Sequence, residues 1–163
     1  DEAIVYNRRR GYYPGAAVLY TNYGVAAFQM GNEDAAEKMF EYADEIYQAF
    51  DEFSEYPIAL AYLAYFDAKK QEMASARQRI RKALALCDRF LSPWWKGVTI
   101  YMMWKIRADF GDRQDIGELA DLWPESEEEH CEWCLSYLHQ IEWREETQQI
   151  EQALQKLQQG APA

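Results

Sequence analysis

Both histidines and two of the three cysteines fall within ten residues: His130, Cys131 and Cys134 in the run His-Cys-Glu-Trp-Cys, then His139. Thiols two residues apart suit either zinc or dithiol–disulfide exchange. Helical geometry weighs against both. At about 100° per residue, His130, Cys131 and Cys134 share one side of a helix, whereas His139 lies about 140° round from Cys134, so three ligands at most converge. A redox pair wants a helix N-terminus just after a strand. Cys131 instead lies five residues past Ser126, the nearest capping residue, with no strand pattern before it. Packed, reduced cysteines with no metal and no cofactor are therefore expected. There is no phosphate-cradling glycine loop and no nucleophile–base arrangement, and Glu127, Glu128 and Glu129 read as a helix start, where negative charge is favourable. No catalytic residue is assigned, and the chain is not read as an enzyme.

The 163 residues carry a net charge of −11, which excludes a nucleic-acid binder, since neutralising phosphates requires a basic surface. Apolar residues make up 49% and aromatic ones 15%, which is the composition of a packed domain. No apolar run approaches the ~18 residues of a membrane span, and the first residues, acidic then basic, do not read as a signal peptide. The chain opens on Asp1 without a methionine, as a processed product or an excised segment would. An odd number of cysteines argues against a disulfide framework, so reduced thiols and a cytoplasmic setting are expected. Charge is unevenly placed: residues 69–96 carry +6 within an otherwise acidic chain. Lys69, Lys70, Arg77, Arg81 and Arg89 read as a solvated face or as a basic strip that steers an acidic partner.

Positioning these residues requires helices. Pro14, Pro57, Pro93 and Pro124 each precede a helical pattern, and proline is favoured in a first turn because its missing N–H would be unpaired there. Ser92-Pro93 reads as N-cap and N1, and Ser126 with Glu129 as a capping box. Helices are predicted from near residues 15, 57, 93 and 127, with second helices after Gly31, after the KKQEMAS run and after Gly111. Two second helices keep one apolar face at intervals of 4, 3, 4 and 3: Ala36, Phe40, Ala43, Tyr47, Phe50, and then Ala76, Ile80, Ala83, Cys87, Phe90. The second set is the first moved by forty residues; a further shift gives Ile116, Ala120 and Trp123 before Pro124 interrupts. Such a period marks stacked helical hairpins. Gly24 inside a helix costs about 1 kcal/mol against alanine, so a close approach of the two helices of its hairpin is expected. Trp94, Trp95, Trp104 and Trp123 read as packing for the third hairpin, or as an exposed aromatic patch.

The first unit, Tyr20, Tyr23, Gly24, Ala27, Gly31, Ala36, Phe40 and Ala43, resembles the tetratricopeptide repeat (TPR) family. The second, Leu60, Leu63, Ala64, Asp67, Gln71, Ala76, Ile80 and Ala83, departs at Asp67 and Gln71, and the third, from Ile100 to Trp123, is degenerate. The resemblance implies an all-α, right-handed TPR-like α-solenoid of about three hairpins over residues 14–125. A lead-in (residues 1–13) precedes them, and a C-terminal capping helix or hairpin with a frayed end (residues 126–163) follows. It also implies a concave groove lined by the leading helix of each hairpin. Carried over by position, that groove would present Thr21, Val25, Phe28 and Gln29, then Tyr62, Tyr65 and Lys69, then Tyr101, Lys105 and Asp109. The implied function is a non-catalytic scaffold that binds a peptide or partner helix bearing an acidic group, with Lys69 and Lys105 as polar anchors. A homodimer formed through tryptophans or the C-terminal helix is the alternative, and a ligand-sensing regulator is a third reading.

Overall fold

A computed structural model describes Arg9, residues 13–51 and residues 53–160. The expected lead-in and the last three residues lie outside the described residues, apart from Arg9 and Tyr13. The described residues are all-α, with no strand, and include seven full α-helices and one 3₁₀ helix. They are α1 (Pro14–Gln29), α2 (Glu33–Phe50), α3 (Tyr56–Lys69), α4 (Met73–Phe90), α5 (Pro93–Phe110), the 3₁₀ helix (Gln114–Leu122), α6 (Glu127–Ile141) and α7 (Arg144–Gly160). Each α-helix packs on its chain neighbours; α3 also touches α1 and α5. Among the described residues no helix is long and apolar enough to cross a membrane.

The forty-residue period is visible in the backbone. After α1, Gly31 adopts φ 78°, its N–H reaches Phe28 O at 2.9 Å, and Asn32 N–H reaches Ala27 O at 2.9 Å. Forty residues on, Gln71 adopts φ 67°, its N–H reaches Ala68 O at 3.0 Å, and Glu72 N–H reaches Asp67 O at 2.8 Å. The turn is the same; glutamine accepts a left-handed conformation that costs an L-residue about 1–2 kcal/mol. α2 and α4 likewise end on left-handed Asp51 and Leu91, both at φ 50°. Ala36, Phe40 and Ala43, and their counterparts Ala76, Ile80 and Ala83, are all buried, as the spacing requires.

Asp67, the consensus departure, is buried and fastens α3 to α4. Its Oδ2 accepts from Ser75 Oγ at 2.7 Å and from Arg79 Nε at 2.9 Å. Gly24 lies beneath the Phe40 ring, where an added Cβ would stand 2.8 Å from Cε1 and Cζ.

The third unit departs from the other two. Gly111 keeps φ −60°, and the chain then forms a nine-residue 3₁₀ helix rather than an α-helical partner for α5. Of its residues only Leu119 is buried, while Ala120, expected on the packed face, is exposed. Pro124 leaves too little chain for a full helix, and a 3₁₀ helix turns at 3.0 residues, which breaks the 4–3 register. α6 covers α5 instead, seated at Gly97, where a Cβ would come within 3.1 Å of Tyr137 Cβ and Ile141 Cδ1. The Ser126–Glu129 capping box forms in both directions. α6 ends at left-handed Glu142, φ 58°, and the chain folds back as α7.

Candidate functional site

The leading helices α1, α3 and α5 bring one aromatic cluster together. Phe28 meets Tyr62, Tyr65 and Phe66 edge-on, with centroids 5.1, 5.3 and 6.0 Å away. Edge-to-face contact suits aromatic quadrupoles and adds to the area buried. Tyr65 Oη donates to Asp109 Oδ2 at 2.8 Å, which ties α3 to α5. Lys105 Nζ lies 3.3 Å from the same carboxylate oxygen and within 6 Å of the Phe28 and Tyr65 ring centroids. Burial, and then the Asp109 carboxylate, push the Tyr65 phenol well above its usual range, so the hydroxyl remains a donor at any physiological pH.

This surface is covered by α7. Tyr101 Oη donates to Gln149 Oε1 at 2.8 Å, and Gln29 Nε2 donates to Glu146 Oε1 at 2.8 Å. Trp143, at the head of α7, meets Trp94 and Tyr101 edge-on, with centroids 5.3 and 6.2 Å away. Glu146 is only 7% exposed, and no lysine or arginine among the described residues comes within ion-pair distance of it. Its charge helps to raise the Tyr62 and Tyr101 phenols, after burial itself. What remains open is a cavity of about 150 Å³, lined by Phe28, Gln29, Tyr62, Tyr101 and Lys105 on one side and by Glu145, Glu146 and Gln149 on the other.

The residues expected in the groove divide accordingly. Phe28, Tyr62, Tyr101 and Lys105 meet in that cavity, and Tyr65 backs it. Val25 is half-buried. Thr21 is fully buried and turns toward α2, with Oγ1 3.0 Å from Tyr47 Oη and donating to Ala17 O at 2.9 Å. It therefore belongs to the first hairpin's interior rather than to a groove. Lys69 is exposed and pairs with Glu33 at the start of α2.

Sequence reasoning missed Trp143, Glu146 and Gln149, because REETQQ reads as a polar interval. The signal was present: Trp143, Thr147, Ile150, Leu154 and Leu157 follow the same 4, 3, 4, 3 intervals as α2. The basic strip fares differently. Lys69, Lys70 and Arg77 pair with Glu33, Glu37 and Asp121; Arg81 reaches Asp121 at 3.6 Å, and Arg89 lies over the Phe90 ring. The first four of these cations link neighbouring helices, whereas the Arg89–Phe90 contact lies within α4.

Around the cysteines, no three His, Cys, Asp or Glu side chains converge as metal ligands among the described residues. Cys131 and Cys134 are buried free thiols, and Cys134 Sγ donates to Ile100 O at 3.6 Å. Burial raises both thiols above the usual range, which opposes thiolate chemistry. His130 is fully buried beside Trp133, and neither ring nitrogen has a hydrogen-bond partner. Burial first, then the Arg107 charge, lowers its pKa to about 4; the Ile100 carbonyl opposes that shift without reaching hydrogen-bond geometry. A larger cavity of about 640 Å³ opens nearby, lined by Trp104, Arg107, Trp123, Cys131, Lys156 and Leu157. Arg107 is held there by the carbonyls of Pro124 and Ser126, at 3.1 and 3.3 Å, and the buried Trp123 Nε1–H has no partner.

No protein-family profile, curated protein or solved structure matches the chain, so its function is argued from this geometry.

Proposed function

We propose that the chain is a TPR-like, right-handed stack of helical hairpins whose leading helices bind an amphipathic helix. In this reading α7 is the groove's resident ligand in cis. One observation carries it: the first two turns of α7 seat the buried Glu146 against Gln29 and the exposed Gln149 against Tyr101, beside Lys105. A helix laid into an aromatic groove, oriented by a few polar anchors, is a recurrent recognition mode. The partner is accordingly a helix with an aromatic residue followed at +3 by a carboxylate and at +6 by an amide, which is the pattern of Trp143, Glu146 and Gln149.

The test uses the full chain and a fluorescent peptide of residues 143–160. Glu146→Lys places a cation beside Lys105 and removes the Gln29 bond, so α7 is expected to leave the groove. Fluorescence anisotropy should show the peptide binding the Glu146→Lys chain at least tenfold more tightly than the unsubstituted chain. Adding Lys105→Glu should remove that binding with the melting temperature unchanged. Equal peptide affinity for the unsubstituted and Glu146→Lys chains would mean that α7 is a structural cap only.

A further inference from the structure

α1 carries no Asp, Glu, Lys, Arg or His, and one of its apolar faces is uncovered. Leu19 and Tyr23 are 57% and 63% exposed, Met30 is 84% exposed, and Ala26 between them is exposed as well. Their intervals of 4, 3 and 4 place all four on one stripe that runs from the second turn of α1 to its C-cap, Met30. The forty-residue repeat shows what such a stripe is for. The counterparts of Leu19, Tyr23 and Ala26 in α3 are Ala59, Leu63 and Phe66, all at most 2% exposed, and α3 is the helix that packs on the preceding α1 and α2. The same position on α1 has no helix against it among the described residues.

We propose that this stripe is a twofold contact with a second copy of the chain, α1 against α1. Charge selects that occupant. Two copies at −11 each repel wherever acidic surfaces meet, but residues 14–32 contain no Asp, Glu, Lys, Arg or His, so α1 pairs with itself without bringing like charges together. The four residues expose on the order of 500 Å² per copy, so that complete coverage in a pair reaches the ~1,000 Å² threshold of a specific interface. Isologous pairing uses the same patch twice and closes after two copies. The tryptophans are not needed, since Trp94 packs on Trp143. Nor is the groove, so this contact and the groove reading stand or fall separately.

Sedimentation equilibrium of the full chain, from about 1 µM to 1 mM, should show the mass rising to that of a dimer. Added sodium chloride should strengthen the association, because screening the net charge leaves the apolar contact intact. Tyr23→Glu and, independently, Met30→Glu should each hold the chain monomeric over that range with an unchanged helical circular dichroism spectrum. Both sites are exposed, so neither should impair folding. A monomer at every concentration would overturn the proposal and assign the stripe to a different protein. A dimer that survives both substitutions, or that salt dissolves, would overturn it too.

Discussion

Gly24→Leu is expected to destabilise the protein by ~3 kcal/mol, the upper end of what overpacking a filled core costs. A Cβ alone would stand 2.8 Å from two carbons of the Phe40 ring. The ring has no room to retreat, because its other face stacks on Tyr62 at 4.6 Å and 13°. Phe40 and Tyr62 are both at most 1% exposed. The next hairpin solves the same problem differently: Ala64 and Ile80 occupy the equivalent positions, one methyl more on one helix and a ring fewer on the other. Gly24→Ala should therefore gain little of the ~1 kcal/mol that alanine normally offers a helix. Combined with Phe40→Ile, which recreates the Ala64–Ile80 pair, it should show a favourable coupling of about 1 kcal/mol or more in a double-mutant cycle. Urea denaturation of the four proteins measures this. Additive effects would mean that Gly24 and Phe40 do not restrain each other.

The second large effect is a pH dependence. His130 takes up a proton near pH 4 in the folded chain, against about 6.5 for an ordinary histidine. Between those values the unfolded chain binds the proton and the folded chain does not, so stability falls as pH falls through this window and is fully present above it. The window of about 2.5 units corresponds to roughly 3 kcal/mol for this one group. His130→Leu, which removes the titration and the two unpaired nitrogens, should flatten the curve. The gain in melting temperature should be larger at pH 5 than at pH 8. Comparing the two proteins cancels the background of the many surface carboxylates. Parallel stability curves from pH 4 to 8 would show that His130 has a normal affinity for protons.

Much of this architecture could be read along the chain because it is local. Proline at N1, Ser92 and Ser126 as caps and the left-handed residue after α1 act within one turn of helix, and they place the helix starts near 14, 56, 93 and 127. The 4–3 spacing likewise defines the faces of α2 and α4, since a helix with one apolar stripe has one way to bury it. What the linear pattern left open depends on distance in space. Residues 114–122 carry the repeat's spacing, yet they form a 3₁₀ helix, and α6 takes the place beside α5 at Gly97. Thr21 and Tyr65 stand at equally plausible positions on leading helices; Tyr47 draws one inward, and Asp109 fixes the other beside the groove. The stretch from Glu127 to Gly160 contains no proline, so sequence alone allows one long helix there. Its break at Glu142 is a tertiary outcome: Trp143 and Ile150 are buried only if the chain reverses, and burying these apolar side chains outweighs the local preference to continue.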